Sequence, residues 1–157
     1  MIVAACGGSA ATPPGMSTAD VSGAPDFHFD SLDAREVSSD AFRGRPAVLV
    51  FVDTSSLYAQ SLVSELVALA PTLPNVSFAL VALEDPTQRE LVELYRDSMK
   101  VKFPTALADP GTRAGGGPLG DVHVVPTVIV LARDGRIAWR YTGPLRGADV
   151  RAHVKNL

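Results

Sequence analysis

An α/β fold, a central mixed sheet flanked by helices, is predicted by three features of the sequence. The run 47–52, AVLVFV, is unbroken, apolar and rich in valine, which reads as a strand buried on both faces. It feeds a polar turn, Asp53-Thr54-Ser55-Ser56, and then a helical pattern with apolar residues at Ala59, Leu62, Val63, Leu66, Val67 and Ala70. Further apolar runs at 78–83 and 124–132 follow, separated by helical or glycine-rich segments. A parallel strand pair joined by a helix, together with a late hairpin, makes the sheet mixed.

The totals narrow the class. At 157 residues the chain is long enough for one domain with a substantial core. A net charge of −3 with 20% charged residues gives no sign of nucleic-acid binding, and no basic cluster carries interleaved aromatics. None of the apolar runs approaches the ~18 residues of a membrane-spanning helix. Cysteine usage decides more. Cys6 is the only cysteine, so no intrachain disulfide forms and no dithiol cycles.

Taken in order, residues 1–23 are small, polar and proline-containing without periodicity, and read as a flexible leader or tether. Within it Val3-Ala4-Ala5-Cys6-Gly7 resembles a bacterial lipobox, in which the cysteine after the cleavage point carries lipid. Only five residues precede Cys6, whereas a signal peptide has a charged region and about 7–15 apolar residues. Either the true start lies upstream, or Cys6 is an incidental thiol in a tail.

The domain is expected over 24–157. Ala24-Pro25-Asp26-Phe27-His28-Phe29 alternates as a short strand, and the segment from Leu32 to Val37 reads as a turn and return strand, an N-terminal β-hairpin extension. Ser39 to Gly44 is a helical turn closed by glycine. After the central strand and helix, Thr72 to Asn75 ends the helix, and 76–83 gives a parallel strand. Asp85-Pro86 opens another helix, with Asp85 as cap, Gln88 placed for a capping box, and Leu91, Leu94 and Tyr95 inward. A short strand at 103–108 precedes a glycine-rich connection, 109–120, expected to be flexible. It is not a phosphate loop, since no Lys-Ser/Thr follows Gly115-Gly116-Gly117. A strand from Val124 and a second from Ile137 to Tyr141 form a hairpin over Asp134-Gly135. A final helix spans 148–155.

The segment from Phe51 through Ser56 to the helix resembles the active site of the thioredoxin-like TlpA/ResA family, roughly F-W-A-T-W-C-x-P-C. The opening A-P-x-F-x-x-x-x-L-D and the later Val125-Pro126-Thr127 are similar to the same family, and the resemblance covers 24–157. It implies a thioredoxin-like fold, a cis Pro126 beside the active site, and protein-disulfide reductase activity. Laid on this chain, the two family cysteines fall on Ser56 and Ala59. The family tryptophan becomes Ser55, the acidic residue after the second cysteine becomes Leu62, and the following proline becomes Ser64; Thr54 is retained.

Thioredoxin chemistry uses a thiolate held by the helix N-terminus and a second thiol that resolves the mixed disulfide. Neither Ser56 nor Ala59 supplies one, so no catalytic residue remains as written. Natural loss with retention of the fold competes with an engineered Cys→Ser and Cys→Ala exchange. A serine-hydrolase reading of Ser56 lacks the surrounding G-x-S-x-G. His123 reads as a partly exposed loop histidine, Trp139 as packing, and the three histidines show no metal-ligand spacing.

The function expected is therefore a non-catalytic binding module of TlpA type on the outer side of a bacterial membrane, without cofactor or metal. Its partner would be a protein or extended peptide held by Thr54, Ser55, Ser56, Leu57, Tyr58, Val125, Pro126 and Thr127, with a membrane tether through Cys6. The competing expectation is a thiol–disulfide oxidoreductase whose cysteines have been substituted. Without a leader, the domain is expected in the cytoplasm.

Overall fold

The computed structural model describes residues 23–157. Cys6 and nearly all of the expected leader lie outside the described residues. The elements are β1 (His28–Ser31), β2 (Val37–Ser38), β3 (Ala47–Val52), α1 (Leu57–Leu69), β4 (Ser77–Ala82), α2 (Arg89–Ser98), β5 (Thr105–Leu107), α3 (Pro110–Arg113), β6 (Thr127–Leu131), β7 (Ile137–Thr142) and α4 (Gly147–Val154). They build one mixed sheet in the order β2-β1-β5-β4-β3-β6-β7.

β3 lies inside this sheet because it is apolar on both faces. All its residues are buried, with β4 parallel on one side and β6 antiparallel on the other. Its alternating side chains serve two cores. Val48, Val50 and Val52 pack with Ala59, Leu62, Val63 and Leu66 of α1. Ala47, Leu49 and Phe51 pack on the opposite face with Phe27, Phe29 and Ile129. The Phe29 and Phe51 rings meet edge-on at 6.0 Å between centroids. Trp139 packs as expected, stacked on His153 at 3.9 Å.

The expected N-terminal hairpin forms with shifted bounds: the first strand, expected over 24–29, is His28–Ser31, the return strand is only Val37–Ser38, and β1 also pairs with β5. Two further local expectations are corrected. Asp85 does cap, accepting from the Thr87 N–H at 3.0 Å, but it caps a 3-10 turn, Pro86–Gln88, and α2 begins only afterwards. That delay rotates α2, so Val92 and Tyr95 face the core while Leu91 and Leu94 are exposed.

The glycine-rich connection is also more ordered than its composition suggested. Asp109 caps α3, and Gly117 and Gly120 form an isolated bridge. Gly115, at φ +85°, packs so tightly under the His123 ring that a Cβ there would lie 1.8 Å from it. Glycine is required here by both backbone conformation and space.

Candidate functional site

The site is built where β3 ends. The β3–β6 register sets Phe51 opposite Thr127, so the turn after β3 and the residues before β6 emerge at the same end of the sheet. The Val125–Pro126 bond is cis, as the family resemblance implied. The Pro126 carbonyl accepts from the Gly143 N–H at 2.8 Å, and Thr127 Oγ1 donates to the Val124 carbonyl at 2.6 Å.

The turn itself is tied down from three directions. Asp53 Oδ1 accepts from the Ser55 N–H at 2.8 Å and from the Ser55 hydroxyl at 2.5 Å, an Asx-turn. Gln60 Nε2 donates to the Thr54 carbonyl at 3.1 Å. Glu84, just beyond β4, reaches under the turn, and its Oε1 accepts from the Thr54 N–H at 2.5 Å. Glu84 is only 7% exposed, and its Oε2 has no partner among the described residues. The nearby Tyr95 phenol is likewise buried without a partner. Burial, followed by the Glu84 charge, pushes that phenol up to about 12.

Sequence reasoning did not single out Glu84 or Tyr95 as part of the site. The available signal was a carboxylate directly following an apolar strand in Ala82-Leu83-Glu84-Asp85. A carboxylate at the end of a central parallel strand lies at the crevice where such sheets place their sites.

Ser56 is the N-cap of α1, and its Oγ accepts from the Ala59 N–H at 3.2 Å. No histidine is bonded to it. His28 faces Glu36, His123 pairs with Asp121 at 2.9 Å, and the His153 ring contacts the Asp149 carbonyl. Among the described residues no side chain is hydrogen-bonded to the Ser56 hydroxyl, and its contact is a helix cap. Ala59 is fully buried. Among the described residues no group of three or more His, Cys, Asp or Glu could hold a metal ion, and no helix is long and apolar enough to cross a membrane.

The proposed contact residues divide by exposure. Leu57 is 78% and Tyr58 65% exposed, and Val124, by the cis proline, is 53% exposed. Thr54, Ser56 and Val125 are half-buried and Ser55 is exposed, whereas Pro126 and Thr127 are buried. Beside Tyr58 a groove of about 290 Å³ runs between α1 and the β7–α4 connection, lined in part by Ser61, Glu65, Leu145 and Arg146. Glu65 closes its floor by accepting from the Gly147 N–H at 2.6 Å. Among the described residues neither the Val125 N–H nor its carbonyl makes a hydrogen bond.

A mixed sheet of this order, a helix launched from the end of its central strand, and a cis proline facing that turn define a thioredoxin-like fold. Solved structures bear this out. A DsbF homologue from Corynebacterium diphtheriae superposes with a TM-score of 0.77 at 16% identity, covering 94% of this chain and 97% of that one. A thiol:disulfide interchange protein from Chlorobium tepidum gives 0.73 at 24% identity, over 85% and 94% of the two chains. A secreted Mycobacterium tuberculosis disulfide oxidoreductase gives 0.67 at 18% identity, over 83% and 96%. No family model matches the chain, and no curated protein matches it.

Proposed function

We propose that this chain is a thioredoxin-like binding domain of TlpA type that holds an extended peptide segment and carries out no thiol chemistry. The observation that carries the reading is the Val125 backbone. Its N–H and carbonyl are unpaired among the described residues, and exposed Leu57, Tyr58 and Val124 lie at the same end of the sheet. Backbone groups left open beside apolar side chains suit an extended chain, which pairs its main chain and packs its alternate side chains. The positions of the two family cysteines hold a capping serine and a buried alanine, so the cleft retains recognition without a nucleophile.

A cell-envelope setting is supported by the lipobox-like segment around Cys6, with lipid on that cysteine as the tether. The secreted Mycobacterium oxidoreductase of the same fold is consistent with that setting.

The test is a library of unstructured peptides selected against the full chain and against Tyr58→Ala and Val124→Asp. Selected peptides are expected to bind at least tenfold more weakly to both variants. Equal binding to all three proteins overturns the cleft as the binding site.

A second reading, an oxidoreductase whose two cysteines have been replaced, is favoured by the intact setting of Ser56. It still caps α1, where the helix N-terminus would stabilise a thiolate. Insulin reduction by the doubly restored variant Ser56→Cys/Ala59→Cys decides it. Turnover supports this second reading, and absence of turnover in a folded variant supports a repurposed cleft.

A further inference from the structure

The pole of the sheet opposite the β3–α1 turn carries a concavity that peptide binding does not use. A cavity of about 580 Å³ opens between the end of α1 and the loops that lead into β3 and β5. Val67, Leu73, Phe78 and Phe103 supply much of its apolar wall, and Arg43, Arg45 and Lys102 stand on its lining. Arg45 also lines an adjoining polar recess of about 330 Å³, shared with Asn75 and Arg133. The Gly44 N–H donates to the Arg133 carbonyl at 2.9 Å, which pins the β6–β7 turn against the loop carrying Arg45. Gly44, at φ +87°, provides the left-handed turn that makes this approach.

The charges on this wall are unevenly compensated. Arg35 pairs with Asp33 at 2.6 Å, and Arg43 lies 3.4 Å from Asp40. Arg45, Lys102 and Arg133 have no ion-pair partner among the described residues. Among the described residues the only carboxylate on either lining is Glu36, which already accepts from the Ser38 hydroxyl at 2.6 Å. Arg45 and Arg133 line the same recess without an acidic partner, and an anion seated between two such cations is attracted by both. Guanidinium groups also match carboxylate and phosphate oxygens in geometry. Next to them lies a larger, predominantly apolar volume within the range of about 300–1,000 Å³ typical of small-molecule sites.

We infer that this joined cavity is a binding site for a single-chain amphiphilic anion. The carboxylate or phosphate head lies on Arg45 and Arg133, and the alkyl chain lies against Val67, Leu73, Phe78 and Phe103. Neither half alone accounts for the arrangement: a free phosphate leaves the apolar half wet, and a neutral chain leaves the arginines unpaired. The site stands independently of the peptide cleft at the other pole, because none of its residues belongs to that cleft.

Isothermal titration of the full chain with decyl phosphate, kept below its micellar concentration, tests the assignment. Saturable binding at one site is expected, with inorganic phosphate and decyl maltoside each at least tenfold weaker. Arg45→Gln/Arg133→Gln is expected to weaken decyl phosphate at least tenfold with unchanged thermal unfolding, since both side chains are exposed. Decyl maltoside or inorganic phosphate binding as tightly as decyl phosphate overturns the proposal, and so does an unaffected double variant. Binding to anionic vesicles without binding to monomeric decyl phosphate also overturns it, in favour of a surface that meets lipid headgroups only.

Discussion

Glu84 is placed to hold the β3–α1 turn in shape, and replacing it separates local order from global stability. In Glu84→Met, a nearly isosteric change, two terms oppose each other. The hydrogen bond from the Thr54 N–H is lost, and a backbone N–H donating to a carboxylate stabilises by about 1.5–3 kcal/mol. The unpaired, buried Oε2 is lost as well, and relief of such an orphan returns about 1–3 kcal/mol. The terms largely cancel, so urea unfolding of Glu84→Met is expected within about 2 kcal/mol of the parent. The turn has no such compensation. Thr54 is half-buried, and its amide loses its acceptor, so hydrogen exchange at Thr54 is expected to accelerate about 10- to 100-fold. Glu84→Gln keeps an acceptor oxygen and is expected to retain most of that protection. Unchanged Thr54 exchange in Glu84→Met would refute the anchoring role. Equal exchange in the Gln and Met variants would show that packing, not the hydrogen bond, holds the turn.

Three further outcomes follow from the same geometry. Ser56→Ala removes the side-chain cap of α1 and is expected to cost about 1 kcal/mol in denaturant unfolding, with Ser56→Gly costing only a few tenths. A loss of hydrolytic activity on Ser56→Ala, were any found in the parent, would contradict the capping role. Gly115→Ala meets both a positive φ and the His123 ring and is expected to destabilise by about 1–3 kcal/mol; adding His123→Ala relieves the clash and recovers part of that cost, the backbone penalty remaining. The Tyr95 phenol keeps its proton in the folded chain to about pH 12 but loses it near 10 when unfolded, so it destabilises the fold progressively as pH rises from 10 to 12. An ultraviolet titration of the folded protein is expected to show a late component that Tyr95→Phe abolishes. In Glu84→Gln that component moves down without reaching 10, because burial is the larger cause.

Much of the fold was legible because its signals are local. Burial on both faces forces β3 into the sheet interior, and the period of α1 marks Ala59, Leu62, Val63 and Leu66 as core. The orientation of α2 was not legible. Pro86 is equally at home in the first turn of an α-helix and in a 3-10 turn, and the difference shifts which residues face inward. Gly115-Gly116-Gly117 suggested flexibility, yet the requirement for glycine comes from His123 and Thr112, contacts that no local pattern encodes. At the site, the turn and the Val125–Pro126 segment were found through their resemblance to a known pattern. Glu84 was missed because its role is tertiary: it matters only once β4 lies beside β3 and brings a carboxylate under Thr54.

The two poles of the sheet differ in kind, and that difference is measurable. From Thr54 to Ser64 the turn and first half of α1 carry no charged side chain, and the first turn has no acid to offset the helix dipole. The proposed recognition there would rest on Leu57, Tyr58, Val124 and uncharged backbone groups, and two of the charges lining the adjoining groove, Glu65 and Arg146, face each other at 3.9 Å, so added salt is expected to screen little of it. The opposite pole works through Arg45 and Arg133, both exposed, where screening is strong. Raising ionic strength from about 0.05 to 0.5 M shortens the Debye length roughly threefold. Decyl phosphate binding is expected to weaken several-fold over that range, whereas peptide affinity at the Tyr58 cleft stays within about twofold. A peptide whose affinity falls as steeply as that of decyl phosphate would be bound by charge, and the apolar, backbone-paired account of the cleft would fail.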